Sequence, residues 1–501
     1  MSHRIRAARV LGALLLGLLV PRASGNAVLD WNAVMMAAIR IDNTGPTLST
    51  RNLAILHLAI YDAVNSITRD HQPYRFQPTA PTLISLEAAV AAAGYQVIQS
   101  LYPSVQAEAD DTFDTWLASV ALDSSLTNGL QLGTLIAQRM LAERSDDGAS
   151  TDVPYIPSDA PGQWRRTPPF FRPPLTPQWR YVRPFTLSDL SSFVPPPPPA
   201  MDSVEYARAL NEVRSLGSKT STKRTAEQSE IAVFWSDFSY TAMPPGHWHE
   251  IAASIARSRG TDLASTARLM ALLSLAQADA AIVCWEAKYR YNLWRPVTAI
   301  QRADEDNNPE TVPEPGWDHY LASPPFPAYT SGHSTFSKAS AAVLAWFYGT
   351  DEISFTATSD SLPGKLRHFT SLSACADEVG MSRIYGGIHF PFDNVAGKET
   401  GQKVAEHVVE NYLLSDRVLP FVSILSYTEG EVELRVHGRS QSSLIIETST
   451  DLQDWQPTVT NRFTTGGIVN RLPGGSSPRR YFRAREGNEV ATPLLQAELG
   501  H

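Results

Sequence analysis

Residues 262–293, DLASTARLMALLSLAQADAAIVCWEAKYRYNL, form the longest helical pattern in this 501-residue chain. The run is rich in Ala and Leu and carries Lys288 near its C-terminal end. From residue 26 to about residue 415 the apolar residues recur with the 3.6-residue period of amphipathic helices, as in RNLAILHLAIYDAVNSI (51–67). About a dozen helices without alternating strands predict a mainly α fold, a multi-helix bundle.

The boundaries of the other helices follow from capping and stop signals. Further helices are predicted at 85–103, 108–121, 125–145, 203–216, 226–236, 247–259, 334–348, 363–380 and 393–414.

Residues 151–199 interrupt the helical pattern with fourteen of the 36 prolines. A solvated linker is one interpretation. The segment also holds eight large aromatic residues, which a linker would not need. We therefore expect an extended segment packed over the helical surface, where it can wall the entrance of a site.

The period changes to two beyond about residue 420, where ELRVHGR (433–439), SLIIETS (443–449), GGIVNRL (466–472) and RRYFRAR (479–485) read as strands. These strands predict a small all-β, sandwich-like C-terminal module at 420–486, of the kind appended to many exported bacterial proteins. Residues 487–501 read as a disordered tail.

The N-terminus reads as a signal peptide at 1–25, with three Arg before an apolar stretch at Val10–Val20 and small residues before Asn26. That stretch is too short to span a membrane. No later segment is predicted to be an integral membrane helix, so we expect an exported protein, periplasmic or extracellular. Cys284 and Cys375 are the only cysteines, and we expect two buried thiols rather than a disulfide framework.

The chain is acidic. Its formal net charge is −9, and removal of residues 1–25, which carry four Arg and no acidic residue, leaves 38 basic against 51 acidic residues. Bulk charge of this sign argues against nucleic acid as a partner. A local cluster of cations in such an acidic chain is therefore not explained by its overall composition and indicates a specific binding site.

KYRYNLWRP (288–296) is the first of three segments that together supply three cations, a small-residue turn and two histidines. Lys288 and Arg295 are seven residues apart, so they share one helix face. Pro296 predicts that the helix ends there, which leaves Arg295 free to reach sideways. An ordinary solvated face explains this segment equally well when it is taken alone.

PPFPAYTSGHS (324–334) places Ser331, Gly332 and His333 before a convincing helix. Free N–H groups and the helix dipole favour an anion at that position, and a glycine lets the backbone approach it closely. A capping Ser followed by a surface His is the commoner use of such residues. The rigid lead-in of prolines and aromatics makes the anion site the better interpretation.

SRIYGGIHFPFD (382–393) places Arg383 and His389 on either side of a Gly-Gly turn. Asp393 follows His389 by four residues, which lets its carboxylate hold one ring nitrogen. Together the three segments predict a pocket for a tetrahedral oxyanion such as phosphate or a phosphate mimic.

The order and spacing of these segments resemble the motif shared by type-2 phosphatidic acid phosphatases, bacterial acid phosphatases and vanadium-dependent haloperoxidases. The flanking sequences resemble the haloperoxidase branch over most of residues 28–415. The resembling stretches are RNLAILHLAIYDAVNSI (51–67), AVFWSD (232–237), PPGHWHEIA (244–252) and WRPVTAI (294–300). Thr330 departs from the Pro of many members, without loss of a ligand.

The resemblance implies that vanadate is the cofactor and that His389 binds vanadium directly. It implies that three cations and one turn hold the vanadate oxygens: Lys288, Arg295, Arg383, Ser331 and Gly332. His333 would deprotonate hydrogen peroxide, and Lys288 would polarise the oxygen that halide attacks.

Three further residues are assigned by looser similarity. Asp237 resembles the acidic partner of an active-site Arg. Trp285 and Phe326 resemble the halide-pocket aromatics of chloride-oxidising members, although core packing is the commoner fate of such side chains. The resemblance thus predicts oxidation of bromide, extending to chloride, with an unknown organic acceptor.

Two other functions stay open at this stage. In a secreted acid phosphatase, His389 would form a phosphohistidine and His333 would protonate the leaving alcohol. In a non-catalytic secreted binding protein, the β module would carry the function. Because vanadate and phosphate share charge and shape, the three segments do not separate the first alternative from the haloperoxidase.

Overall fold

The computed structural model describes residues 25–118, 123–415, 421–428, 431–437, 443–462, 468–473, 480–486 and 497–498. The predicted signal peptide lies outside these residues, apart from Gly25. The predicted disordered tail also lies outside them, apart from two residues that form a short strand.

Thirteen α-helices run through the described part of residues 27–411, so the prediction of a mainly α fold is confirmed. They are α1 (Ala27–Ile41), α2 (Pro46–Thr68), α3 (Leu86–Leu101), α4 (Gln106–Leu117), α5 (Ser124–Glu143), α6 (Val204–Leu216), α7 (Ala226–Phe234), α8 (Met243–Ser258), α9 (Leu263–Tyr291), α10 (Pro296–Gln301), α11 (Gly332–Tyr348), α12 (Leu372–Tyr385) and α13 (Pro391–Asn411).

The prediction of a helix at 363–380 is wrong in its first half. Leu366–Phe369 is a strand, β2, which pairs antiparallel with β1 (Phe355–Thr358). The pairing stacks the ring of Phe369 on that of Phe355, with ring centroids 5.5 Å apart. Helix α12 starts only after Ser371, whose side chain accepts a hydrogen bond from the Ala374 N–H. The short hairpin also corrects the expectation of helices without intervening strands.

Helix α9 is the centre of the bundle and packs against α2, α11 and α13. Among the described helices it alone has the length and apolarity to cross a membrane, which corrects the expectation that no segment after the N-terminus has them. Nearly all of its apolar stretch is buried inside the protein, as in the core helix of a large bundle. Its last two turns carry the first cation of the predicted site.

The proline-rich segment 151–199 lies along α9 and contains one 3₁₀ turn, Pro177–Tyr181. The buried carboxylate of Asp279 on α9 accepts hydrogen bonds from the Phe185 and Thr186 N–H groups, each at 2.7 Å. Arg180 donates to Glu286 of the same helix at 2.8 Å. These contacts hold the segment in an extended path over the bundle.

The C-terminal strands form two antiparallel sheets, in the orders β3-β4-β7 and β6-β5-β8-β9. Apolar side chains from both sheets share one buried cluster, as in a small sandwich. The strands are β3 (Phe421–Thr428), β4 (Glu431–His437), β5 (Ser443–Ser449), β6 (Gln456–Arg462), β7 (Ile468–Pro473), β8 (Tyr481–Glu486) and β9 (Ala497–Glu498). Sequence patterns predicted β4, β5, β7 and β8 and missed the other three.

The two cysteines are buried and unpaired, as expected. Cys284 lies on α9, where its thiol accepts a hydrogen bond from the Thr330 hydroxyl at 3.3 Å. Cys375 lies on α12, where burial raises the pKa of its thiol. Both behave as core residues.

Candidate active site

The end of α9 positions the first two cations. The helix stops because Asn292 adopts a left-handed conformation, with φ 52°, and Pro296 begins α10. Lys288 lies in the last turn of α9 and Arg295 is the N-cap residue of α10. Both side chains are completely buried, although the sequence alone allowed a solvated face.

The ammonium group of Lys288 is held by backbone carbonyls. It donates at 3.0 Å to the carbonyls of Pro327 and Ala328, and it also donates to that of Thr330. Burial lowers the pKa of Lys288 to about 7, whereas the three carbonyl acceptors favour the charged form. A bound anion would therefore compete with these carbonyls for the ammonium protons.

Arg295 joins the first segment to the third. Its Nε donates to the Phe326 carbonyl and its Nη1 to the Ile388 carbonyl, each at 2.8 Å. Its Nη2 is buried and has no hydrogen-bond partner. Burial lowers the pKa of Arg295 to about 9, so the group remains a cation at neutral pH.

Ser331 caps helix α11 and follows the rigid proline-aromatic loop. Its Oγ accepts hydrogen bonds from the Ser334 N–H at 3.4 Å and the Ser334 hydroxyl at 2.9 Å. Its own hydroxyl proton is thus available to an acceptor in the site. The N–H of Gly332, in the first turn, has no acceptor within the helix.

Packing within the protein does not by itself require glycine at position 332. A Cβ there would meet the rings of Phe336 and Trp285 at 3.5 and 3.8 Å, which are ordinary contacts. Gly332 lines a cavity of about 510 Å³, so a ligand bound in that cavity would occupy the space beside it.

Arg383 supplies the third cation from the last turn of α12. Its Nη1 donates to the Trp235 carbonyl at 2.8 Å, while Nε and Nη2 are buried without a partner. Burial lowers the pKa of Arg383 to about 10, and the charge of Asp237 opposes that change.

His389 is oriented by Asp393. The ring Nδ1 lies 2.8 Å from Asp393 Oδ2, which also accepts from the Phe390 N–H at 3.0 Å. Because the Arg295 Nη1 can only donate, its 3.2 Å contact makes the ring Nε2 the acceptor and Nδ1 the protonated nitrogen. The Gly-Gly turn before His389 packs tightly, since a Cβ on Gly387 would lie 2.3 Å from the Gly217 carbonyl.

The electrostatics of the cluster suit an anion. Burial first, and then the charges of Arg295, Lys288 and Arg383, lower the pKa of His389 well below its usual value. Three buried guanidinium nitrogens, one from Arg295 and two from Arg383, have no hydrogen-bond partner in the part of the chain that the structure describes. Buried donors of this kind call for an acceptor, and a tetrahedral oxyanion carries several. The residues present therefore fit vanadate or phosphate.

A family model, a characterised protein and a solved structure that resemble this chain all come from vanadium haloperoxidases. Residues 268–414 match the family model described as the VCPO second helical-bundle domain. The vanadium chloroperoxidase of Curvularia inaequalis is 26% identical to this chain, over 75% of this chain and 80% of that protein. The solved structure of a bacterial vanadium-dependent iodoperoxidase is 29% identical, with a TM-score of 0.69 over 78% of this chain and 98% of that one.

This chain is similar to vanadium haloperoxidases over 75% and 78% of its length in the last two comparisons. The prediction of that family from the three segments is confirmed, and all three lie inside the matched region. An apo-type bacterial vanadium-dependent chloroperoxidase, 16% identical with a TM-score of 0.57 over 73% of this chain and 93% of that one, shares the fold.

Asp237 lies at the candidate site, but its hydrogen-bond partner differs from the one predicted. Its Oδ1 lies 3.1 Å from the Nδ1 of His247, and its Oδ2 lies 3.9 Å from the Nε2 of His333. Its charge acts on Arg383 without a direct hydrogen bond in the structure. Sequence reasoning missed His247, since PPGHWHEIA (244–252) offers two histidines and no sign of which one faces the site.

His333 lines the same cavity as Gly332, and 14% of its side chain is exposed. Burial, the charge of Arg383 and that of His247 lower the pKa of His333 well below its usual value. The imidazole is therefore neutral at neutral pH and has a free site for a proton.

Trp285 and Phe326 form one wall of the cavity, with ring centroids 5.1 Å apart. The Lys288 ammonium lies 4.9 Å from the Phe326 ring centroid and 5.8 Å from that of Trp285. The structure thus brings both predicted halide-pocket residues beside the predicted anion site. Their role in halide binding stays a prediction.

The proline-rich segment lines the entrance of this cavity, whose volume is about 510 Å³. Phe170, Arg172 and Leu175 from the segment line this cavity together with Phe238 and Met243. The segment is therefore part of the site rather than a linker.

Proposed function

We propose that this protein is a vanadate-dependent haloperoxidase that uses hydrogen peroxide to oxidise halide to hypohalous acid. The observation that carries the proposal is the set of buried, unpartnered guanidinium donors beside a histidine whose second nitrogen is held by a carboxylate. Similarity to vanadium haloperoxidases supports the peroxidase over the phosphatase.

Vanadate, when bound, supplies a Lewis-acidic centre that activates hydrogen peroxide. His389 would ligate the vanadium through Nε2, because Asp393 holds the proton on Nδ1. Arg295, Arg383 and Lys288 would neutralise the oxygens of the anion. The Ser331 hydroxyl and the Gly332 N–H would donate hydrogen bonds to them.

His333 is the acid–base group of the proposal. Its neutral imidazole faces the cavity and can take a proton from hydrogen peroxide as that substrate enters. Asp237 faces the Nε2 of His333 and would stabilise the imidazolium that forms. Lys288 would polarise the oxygen that halide attacks. To do so, its ammonium group would exchange one of its hydrogen bonds to a backbone carbonyl for a hydrogen bond to that oxygen.

We propose that the protein oxidises bromide and that its halide range extends to chloride. The Trp285 and Phe326 rings exclude water from one side of the site, so a halide there would be weakly hydrated and more reactive. Both rings lie near the Lys288 ammonium, which attracts an anion to that wall.

An organic acceptor would receive the halogen. A cavity of about 510 Å³ leaves space beyond the inorganic substrates, and it falls in the range of ordinary small-molecule pockets. We also propose that the protein is exported to the periplasm or beyond, on the evidence of residues 1–25 alone.

The test uses the purified full chain after exhaustive removal of vanadium. We expect little bromination with hydrogen peroxide and bromide until orthovanadate is added, and we expect phosphate to compete with the added vanadate. A parallel assay with a phosphate ester measures the phosphatase alternative. Halogenation that persists without vanadium and instead follows haem or iron content would contradict the proposal.

A further inference from the structure

Two histidines share the carboxylate of Asp237, and only one of them faces the cavity. Asp237 lies in the loop after α7 with φ 44°, a left-handed conformation that directs its side chain into the protein. One carboxylate oxygen lies 3.1 Å from His247 Nδ1 and the other lies 3.9 Å from His333 Nε2. His247 itself is in the first turns of α8 and is nearly inaccessible to solvent.

His247 also supports the backbone that binds Arg383. Its ring packs against the indole of Trp235, with ring centroids 4.7 Å apart. The carbonyl of the same Trp235 accepts the Arg383 Nη1 hydrogen bond at 2.8 Å. The buried imidazole of His247 thus contacts both Asp237 and Trp235, whose carbonyl binds Arg383.

The charged groups around His247 come from four elements. Asp237 faces it from the loop after α7, and Glu250 from its own helix α8. Asp360, in the β1–β2 connection, has its charge near His247, and both Asp360 and Glu250 pair with Arg40 of α1 at 2.8 Å. Burial lowers the pKa of His247, but the charge and hydrogen bond of Asp237, and then the charge of Glu250, outweigh it and raise that pKa.

We propose that His247 is a positioning residue for His333, which acts by holding the Asp237 carboxylate so that its second oxygen faces the His333 imidazole. Without that hydrogen bond the carboxylate would be free to turn toward the unpartnered nitrogens of Arg383. The inference rests on the proposed acid–base role of His333. It goes beyond that role, because it concerns a residue that touches neither peroxide nor anion.

The experiment compares three variants of the full chain. His247→Leu removes the hydrogen bond to Asp237. His247→Asn keeps a donor at the Nδ1 position but has no charge. His249→Leu is the matched control, since His249 is equally buried on α8 but bonds Asn32, at 3.2 Å.

We expect His247→Leu to lower kcat by about tenfold to a hundredfold, with the dissociation constant of vanadate little changed. His247→Asn should recover most of kcat, because the hydrogen bond orients the carboxylate. Both His247 variants lose a neighbouring cation that lowers the pKa of His333, so that pKa should rise. The acid limb of the kcat/KM profile should then move to higher pH.

Imidazole NMR on the vanadate-free protein measures the pKa of His333 without any turnover. If wild type with vanadate fails to halogenate, the proposed function fails, yet this NMR comparison still tests the geometry. A His247→Leu variant with the kcat and His333 pKa of His249→Leu would overturn the inference. So would a loss of vanadate affinity as large as the loss of kcat, because His247 would then support the anion site instead.

Discussion

The Nδ1 of His389 lies 2.8 Å from the Oδ2 of Asp393, and both side chains are buried. A neutral His389 with its proton on Nδ1 has its lone pair on Nε2, where a bound anion would replace the 3.2 Å contact with Arg295 Nη1. The same carboxylate oxygen accepts the Phe390 N–H, which fixes its position at the start of α13. The predicted ligand histidine and its orienting group are therefore set within a single short segment.

Replacing Asp393 with Asn should weaken vanadate binding by about tenfold to a hundredfold. The amide keeps the shape of the carboxylate but not its charge, so it makes His389 a poorer ligand. Isothermal titration of the vanadium-free protein with orthovanadate measures the effect. Asp377→Asn is the control, because Asp377 pairs with Lys398 on the surface. Equal affinities in the two variants would show that Asp393 does not tune His389.

The two site histidines should respond differently to Ala. His389→Ala should lose vanadate affinity by at least about a hundredfold, because the direct ligand is gone. His333→Ala should bind vanadate nearly as wild type and lose about a hundredfold to ten-thousandfold in kcat, because only proton transfer is removed. Equilibrium dialysis and bromide oxidation separate the two. Binding defects of equal size would mean that the roles are misassigned.

The contribution of Lys288 should depend on pH. Its pKa is lowered to about 7 by burial, so its charge is present below that pH and is lost as pH rises through it. Vanadate affinity of wild type should exceed that of Lys288→Met by about tenfold to a hundredfold below pH 7, and the ratio should fall above it. Titrations between about pH 6 and pH 9 test this, because protonation of vanadate itself cancels in the ratio. A constant ratio would mean that the three carbonyls keep the ammonium charged.

Phe326→His should lower chloride oxidation more than bromide oxidation. A polar ring beside the Lys288 ammonium would bring water to the wall where the halide lies, and chloride is the halide that is harder to oxidise. Steady-state rates with each halide give the ratio. Phe170→His, at the solvent-exposed entrance, is the control. An unchanged chloride-to-bromide ratio would assign Phe326 to packing alone.

Local spacing predicted much of the site because each segment is short. The interval from Lys288 to Arg295 spans the end of one helix, Ser331 is the cap of the next, and His389 and Asp393 are four residues apart. Helix ends and caps depend on neighbouring residues, so the motifs specify them directly. The hairpin at 355–369 was missed, since its pairing depends on contacts between two short strands that lack a strong alternating pattern.

The sequence by itself determined the residue types of an oxyanion site, the mainly α class and the family, because these are carried by periodicity and by motifs a few residues long. Only the tertiary structure decided which polar groups of the site already have hydrogen-bond partners within the protein. The Lys288 ammonium is held by carbonyls about 40 residues away, and Asp237 bonds His247 rather than Arg383. Such partners are selected by the packing of distant helices in a buried site, where each polar group takes the nearest available partner, and no local pattern encodes that choice.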